Sequence, residues 1–164
     1  MNNLTSWSER PFELANLFNP AFLAILLARV SEGYKIQSSK DLPYPVAFLA
    51  MPLIIYPNCR HLLPKSAVSK LHIWLSENQE ILFEFPELAS STSPYVREAI
   101  LFGISHQVLE FSHGGNLVPK DIKLKKWVKE PQNAEVTKKA VLVGRLLGQI
   151  TETHSLFSIF GVRP

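Results

Sequence analysis

Apolar residues recur along this chain mostly at helical spacing. Pro11 suits the first position of a short helix carrying Phe12, Leu14 and Leu17. Asn19 followed by Pro20 pairs an N-cap with a first-turn proline. The helix they open presents Phe22, Leu23, Leu26, Leu27 and Val30 and is expected to stop at Gly33. It is apolar on nearly every face, the pattern of a buried central helix. A second apolar helix follows Leu42 to Pro45, with a kink or restart expected at Pro52 and an end at Pro57 and Asn58. A third is predicted from about Ser66 to Asn78, with Val68, Leu71, Trp74 and Leu75 inward. Glu80, Glu84 and Glu87 share one face of a fourth, acidic segment broken by Pro86. Thr92, Ser93 and Pro94 open a fifth helix through Arg97, Ile100, Leu101, Ile104 and Val108.

The pattern then switches. Leu109 to Phe111, a turn from Ser112 to Asn116 containing Gly114 and Gly115, and Leu117 with Val118 predict a short β-hairpin. Residues 120–129 are basic, and a long helix capped by Asn133 carries Val136, Ala140, Val143, Leu147 and Ile150. Gly144 and Gly148 lie one turn apart on its other side, where they let a second backbone approach. A last short helix, capped by Thr153 or Ser155, carries Leu156, Phe157, Ile159 and Phe160 and ends at Gly161. The expected fold class is mainly α: one helical domain, residues 1–164, with a winged-helix-like arrangement and one short β-hairpin. In it residues 94–107 take the place of a recognition helix and residues 109–119 form the wing. Residues 1–9 are expected to be a loose N-terminus and residues 153–164 a C-terminal docking segment.

Composition narrows the classes. With 164 residues and 46% hydrophobic side chains, the chain suffices for one domain with a real core. The two greasiest runs, Pro20–Ala28 and Val46–Tyr56, fall short of the roughly 20 apolar residues that span a bilayer. A single cysteine, Cys59, excludes an internal disulfide, and no secretory signal is visible, so the expected compartment is the cytoplasm. Charge is unevenly placed. Residues 1–119 carry 8 basic and 10 acidic side chains, whereas residues 120–164 carry 9 basic and 4 acidic ones. The basic end suits nucleic acid or an acidic protein surface.

Catalytic constellations are sparse. His61, His72, His106, His113 and His154 show no metal-ligand spacing, so no metal and no cofactor is expected. Gly114 and Gly115 sit in a turn without the following Lys-Ser/Thr of a phosphate loop. Glu80, Glu84 and Glu87 read as a solvated acidic face, and Cys59 has no triad around it, though Arg60 and His61 beside it would favour its thiolate. The chain is expected not to be an enzyme.

Five stretches together carry a resemblance: Arg10–Phe22, Leu49–Leu53, Tyr95–Gly103, Val143–Arg145 and Phe160–Pro164. In order and spacing they resemble the middle component of bacterial three-component ABC systems, the group that includes Lamassu-type defence. Gly148 departs from the pattern, where a larger residue is expected. The resemblance implies an accessory or adaptor subunit of an anti-phage or anti-plasmid complex. Its partners would be an SMC/Rad50-like ABC ATPase subunit and a variable effector subunit, often a nuclease, which perform the ATP hydrolysis and DNA cutting. The family brings no catalytic residues to transfer.

Two surfaces follow as expectations. Any DNA contact, made through the complex, runs through Lys120, Lys123, Lys125, Lys126 and Lys129 without sequence preference. The partner-binding element is Phe157, Phe160, Gly161, Val162, Arg163 and Pro164, with Arg163 beyond the core-forming residues and suited to a bidentate carboxylate contact. Deleting residues 161–164 is expected to spare the thermal midpoint and weaken binding to the ATPase. The alternative is a stand-alone winged-helix DNA-binding transcription regulator. It is poorly supplied for base readout, since residues 94–108 offer Arg97 as their only basic group.

Overall fold

The computed structural model describes residues 4–120 and 130–163. It is mainly α-helical with a small antiparallel sheet. A 3-10 turn at Trp7–Glu9 precedes α1 (Phe12–Leu17), α2 (Pro20–Ser38), β1 (Leu42–Pro43), α3 (Val46–Ile55) and α4 (Pro57–Leu62). There follow α5 (Leu71–Glu77), α6 (Glu80–Ser105), β2 (Leu109–Phe111), β3 (Asn116–Pro119), α7 (Pro131–Leu147) and α8 (Thr153–Ile159).

The Asn19 side chain caps α2 as its sequence implies, accepting from the N–H of Ala21 at 2.9 Å and of Phe22 at 3.3 Å. The helix passes Gly33 without stopping and ends at Ser39, which takes the left-handed conformation (φ 59°). Gly33 serves another purpose: a Cβ there would collide with the Val141 carbonyl of α7. Gly144 is pressed as closely against α2, where a Cβ would lie 2.8 Å from the Tyr34 nitrogen. A Cβ at Gly148 would lie 2.9 Å from the Tyr34 carbonyl oxygen, so the position where a larger residue is expected is a point of close contact. α2 and α7 thus pack backbone to backbone, the most extensive pairing in the fold, and α6 covers another side of α2. By length and composition alone the stretch Phe12–Ser38 could cross a membrane, yet half of its most apolar window is buried in this fold.

α3 is apolar all round and accordingly buried all round, with only Phe48 partly exposed. Pro52 lies inside it without breaking it. Pro57 does not close this helix but opens α4. A larger departure from the sequence reading is α6, one helix where an acidic segment and a separate helix were expected. Pro86 and Pro94 both sit in its interior. Ile81, Phe85, Ala89, Thr92, Val96, Ala99, Ile100 and Gly103 form one continuous buried stripe, and that burial outweighs two missing backbone bonds. Thr92 caps nothing; its hydroxyl donates to the Leu88 carbonyl at 2.6 Å.

The third helix begins at Leu71, five residues later than its Ser66 signal suggests. The cause lies far off in sequence. The Gln149 amide donates to the carbonyls of Ala67 (3.2 Å) and Ser69 (2.9 Å) and accepts from the N–H of Leu71 at 2.9 Å. Those contacts hold the segment ahead of the helix, and Val68 stays exposed. α7 starts earlier than Asn133, with Glu130 at the cap position and Pro131 in the first turn. Likewise Glu152, not Thr153 or Ser155, holds the cap position of α8, its carboxylate accepting from the Ser155 hydroxyl at 3.1 Å and not from a backbone N–H.

The hairpin forms where the sequence places it. β2 and β3 pair antiparallel, Leu109 opposite Pro119 and Phe111 opposite Leu117, and β1 adds to the far side of β3 with Leu42 opposite Leu117. The sheet order is β1-β3-β2. Leu42, Leu109 and Leu117 are buried and fasten the sheet to the helical core.

Candidate partner-binding site

The ends of α8, the middle of α6 and the start of α3 meet around a groove of about 800 Å³. Three local features build it. First, Gly161 is left-handed (φ 66°), so the N–H of Val162 reaches back to the Phe157 carbonyl at 3.0 Å and turns the chain end across α6. Second, Phe160 is fully buried and tilts against Phe85 at 4.6 Å between ring centroids, which anchors that turn. Third, Tyr44 and Phe48 stack edge to face at 5.2 Å, and Tyr44 touches Phe111 of the hairpin at 6.0 Å.

Two guanidiniums stand at the groove. Arg97 lies over the Phe48 ring, 5.9 Å from its centroid, and Arg163 follows the Gly161 turn; both are exposed. Neither is bonded to a carboxylate among the described residues. Arg10, by contrast, is spent internally. Its side chain, 1% exposed, makes a bidentate bridge to Glu98 with both bonds at 2.7 Å and lies over Tyr95, which stacks on Phe18. Donating its hydrogen bonds to the Glu98 carboxylate raises the Arg10 pKa against the opposing effect of burial.

Of the expected partner-binding residues, Phe157 and Phe160 are buried in the chain's own core, Val162 is half-buried, and Gly161 and Arg163 are exposed. Pro164 lies outside the described residues, as do Lys123, Lys125, Lys126 and Lys129. Lys120 ends the hairpin with its ammonium 3.2 Å from the Glu110 carboxylate. Glu80, Glu84 and Glu87 are exposed. Burial pushes the Cys59 thiol pKa up and Glu84 adds to it, the opposite of the thiolate-favouring effect its neighbours in sequence suggest. Among the described residues no three His, Cys, Asp or Glu side chains gather as a metal site would require. The groove and the Arg10–Glu98 bridge had no local signal, because each joins residues about 40 to 120 positions apart.

A mainly α protein with a small three-stranded sheet and an open, arginine-rimmed apolar groove is the class these features define. The chain belongs to the family of middle component 3 of the ABC-three component (ABC-3C) systems, whose model matches residues 7–164. Membership of a multi-component system implies partner subunits and is consistent with an accessory role. No curated protein and no solved structure matches the chain.

Proposed function

We propose that this chain is a non-catalytic accessory subunit of an SMC/Rad50-like ABC ATPase complex in bacterial anti-phage or anti-plasmid defence, joining the ATPase to an effector subunit in the cytoplasm. The family match over residues 7–164 is the observation that carries this reading, since a middle component acts with other components. A groove that the chain's own described residues leave open is the kind of surface such a subunit needs. The order α2, β1, α3, α6, β2, β3 with sheet order β1-β3-β2 supports the winged-helix-like arrangement, with residues 109–119 as the wing. As a stand-alone regulator the chain is poorly equipped, because Arg97 is the only basic group near the end of α6.

Within the complex, Lys120, Lys123, Lys125, Lys126 and Lys129 contact DNA phosphates. If all five engage, log affinity against log salt has a slope near about −4.5, and reversing Lys123, Lys125 and Lys126 weakens DNA binding for every sequence tested. The deciding experiment is co-expression with the ATPase and effector encoded alongside. A stable assembly, with ATP turnover abolished only by changes in the ATPase, supports the reading. Turnover by this chain alone, lost on changing one of its own residues, overturns it.

A further inference from the structure

We infer that the groove between α3, α6 and the chain end receives an acidic, apolar segment of a partner subunit, with Arg97 and Arg163 each taking one of its carboxylates. The inference rests on the accessory-subunit reading and names the surface and the partner chemistry.

Charge complementarity selects the occupant. Arg10, Arg29, Lys35, Lys120 and Lys139 each reach a carboxylate of this chain within 2.7 to 3.2 Å. Arg97 and Arg163 border one groove and have no such pair among the described residues, and planar guanidiniums suit carboxylates at two-point geometry. Two cations are too few for a nucleic-acid track, which needs one for each phosphate neutralised. The wall between them is apolar: Tyr44, Pro45, Phe48 and Pro94 line it. Ala89, Ser90 and Gly161 add small residues to its lining. The prolines and the stacked aromatic pair are already ordered, so little side-chain freedom is lost on binding.

The backbone adds a further feature. Pro94 has no N–H to offer the carbonyl four residues back, which belongs to Ser90 of the groove lining. That carbonyl lacks its usual helical N–H donor. A groove of about 800 Å³ accommodates a few side chains of such a segment, within the usual range of roughly 300–1,000 Å³ for small-ligand sites.

The test uses the full chain co-purified with its two encoded partner proteins. Binding is measured at low and high salt for the wild type, Arg97→Gln with Arg163→Gln, and Arg97→Glu with Arg163→Glu. Charge reversal is expected to weaken partner binding by about 30-fold or more and the neutral pair by less, with the difference shrinking as salt screens the contact. In parallel, p-benzoylphenylalanine installed in place of Ser90 should crosslink to one partner segment. Changing that segment's Asp or Glu to Arg should then restore binding to the charge-reversed chain. Unchanged affinity in both double variants, or a crosslink to a second copy, to this chain's own residues or to DNA, overturns the inference while leaving the accessory role standing. Failure of the wild-type chain to assemble with either partner overturns both.

Discussion

Two helices in this fold end on the same device, and they differ in one residue. After α8, Gly161 takes the left-handed position (φ 66°), and the next N–H, of Val162, bonds the Phe157 carbonyl. After α6 the equivalent position is Gln107 (φ 60°), and the N–H of Val108 bonds the Gly103 carbonyl at 2.7 Å. A side chain in that conformation costs roughly 1–2 kcal/mol. Gln107→Gly is therefore expected to stabilise the protein by about 0.5–1 kcal/mol in urea unfolding, allowing for the flexibility glycine adds to the unfolded chain. Gly161→Ala is expected to destabilise it by about 1 kcal/mol. The same geometry corrects an expectation at the chain end. Val162 caps α8 and is half-buried, so deleting residues 161–164 removes part of the fold, whereas removing Arg163 and Pro164 alone spares the thermal midpoint. At the other end, Arg10→Met leaves Glu98 partly solvated, while Glu98→Ala strands a buried guanidinium. The second is expected to be the more damaging, by about 3 kcal/mol overall.

Among whole elements, α2 and α7 set the spacing of the core. Their backbones meet at Gly33 and Gly144, and a methyl group at either position meets backbone that has nowhere to move. Gly144→Ala is expected to destabilise by about 3 kcal/mol or more despite the better helix propensity of alanine, a sign that thermal unfolding will report directly. What the sequence made legible follows from how local each cause is. The Asn19 cap, the hairpin at residues 109–119 and the close approach at Gly144 and Gly148 are written in neighbouring residues, and each is present. The single span of α6 and the late start of α5 are not. The first depends on a stripe buried beneath α2 and α3, which outweighs Pro86 and Pro94. The second depends on Gln149, 78 residues from Leu71. Gln149→Leu, which leaves the Ala67 and Ser69 carbonyls without their donor, is expected to cost about 1–3 kcal/mol.

At the scale of the molecule, the features proposed to meet a partner are the groove and the two arginines beside it. The groove lies between α3, α6 and the chain end, and the Tyr44–Phe111 contact links it to the hairpin that leads into the basic segment. Of the expected binding element, the aromatic part is spent on the chain's own core and the charged part faces outward. That division was half legible: burial of Phe157 and Phe160 follows from their spacing, but the companion Arg97 comes from a helix some sixty positions earlier. Cys59 is expected to resist thiol reagents in the folded protein and to react promptly in denaturant, since burial and Glu84 hold its thiol protonated. Rapid modification without unfolding would contradict that burial.

The α2–α7 seam also has a history during synthesis. α2 ends at Ser38 and its backbone-contacting partner is complete only at Leu147, about 110 residues later. At roughly 5–20 residues per second a ribosome needs about 5–20 s to cover that distance. For that interval a helix with Leu23, Leu27 and Val30 destined for full burial has no α7 to lie against. Nascent chains stalled short of α7 should be open to protease and bound by chaperones, and chains stalled after it should turn resistant. A long, largely buried helix is made early and sheltered late.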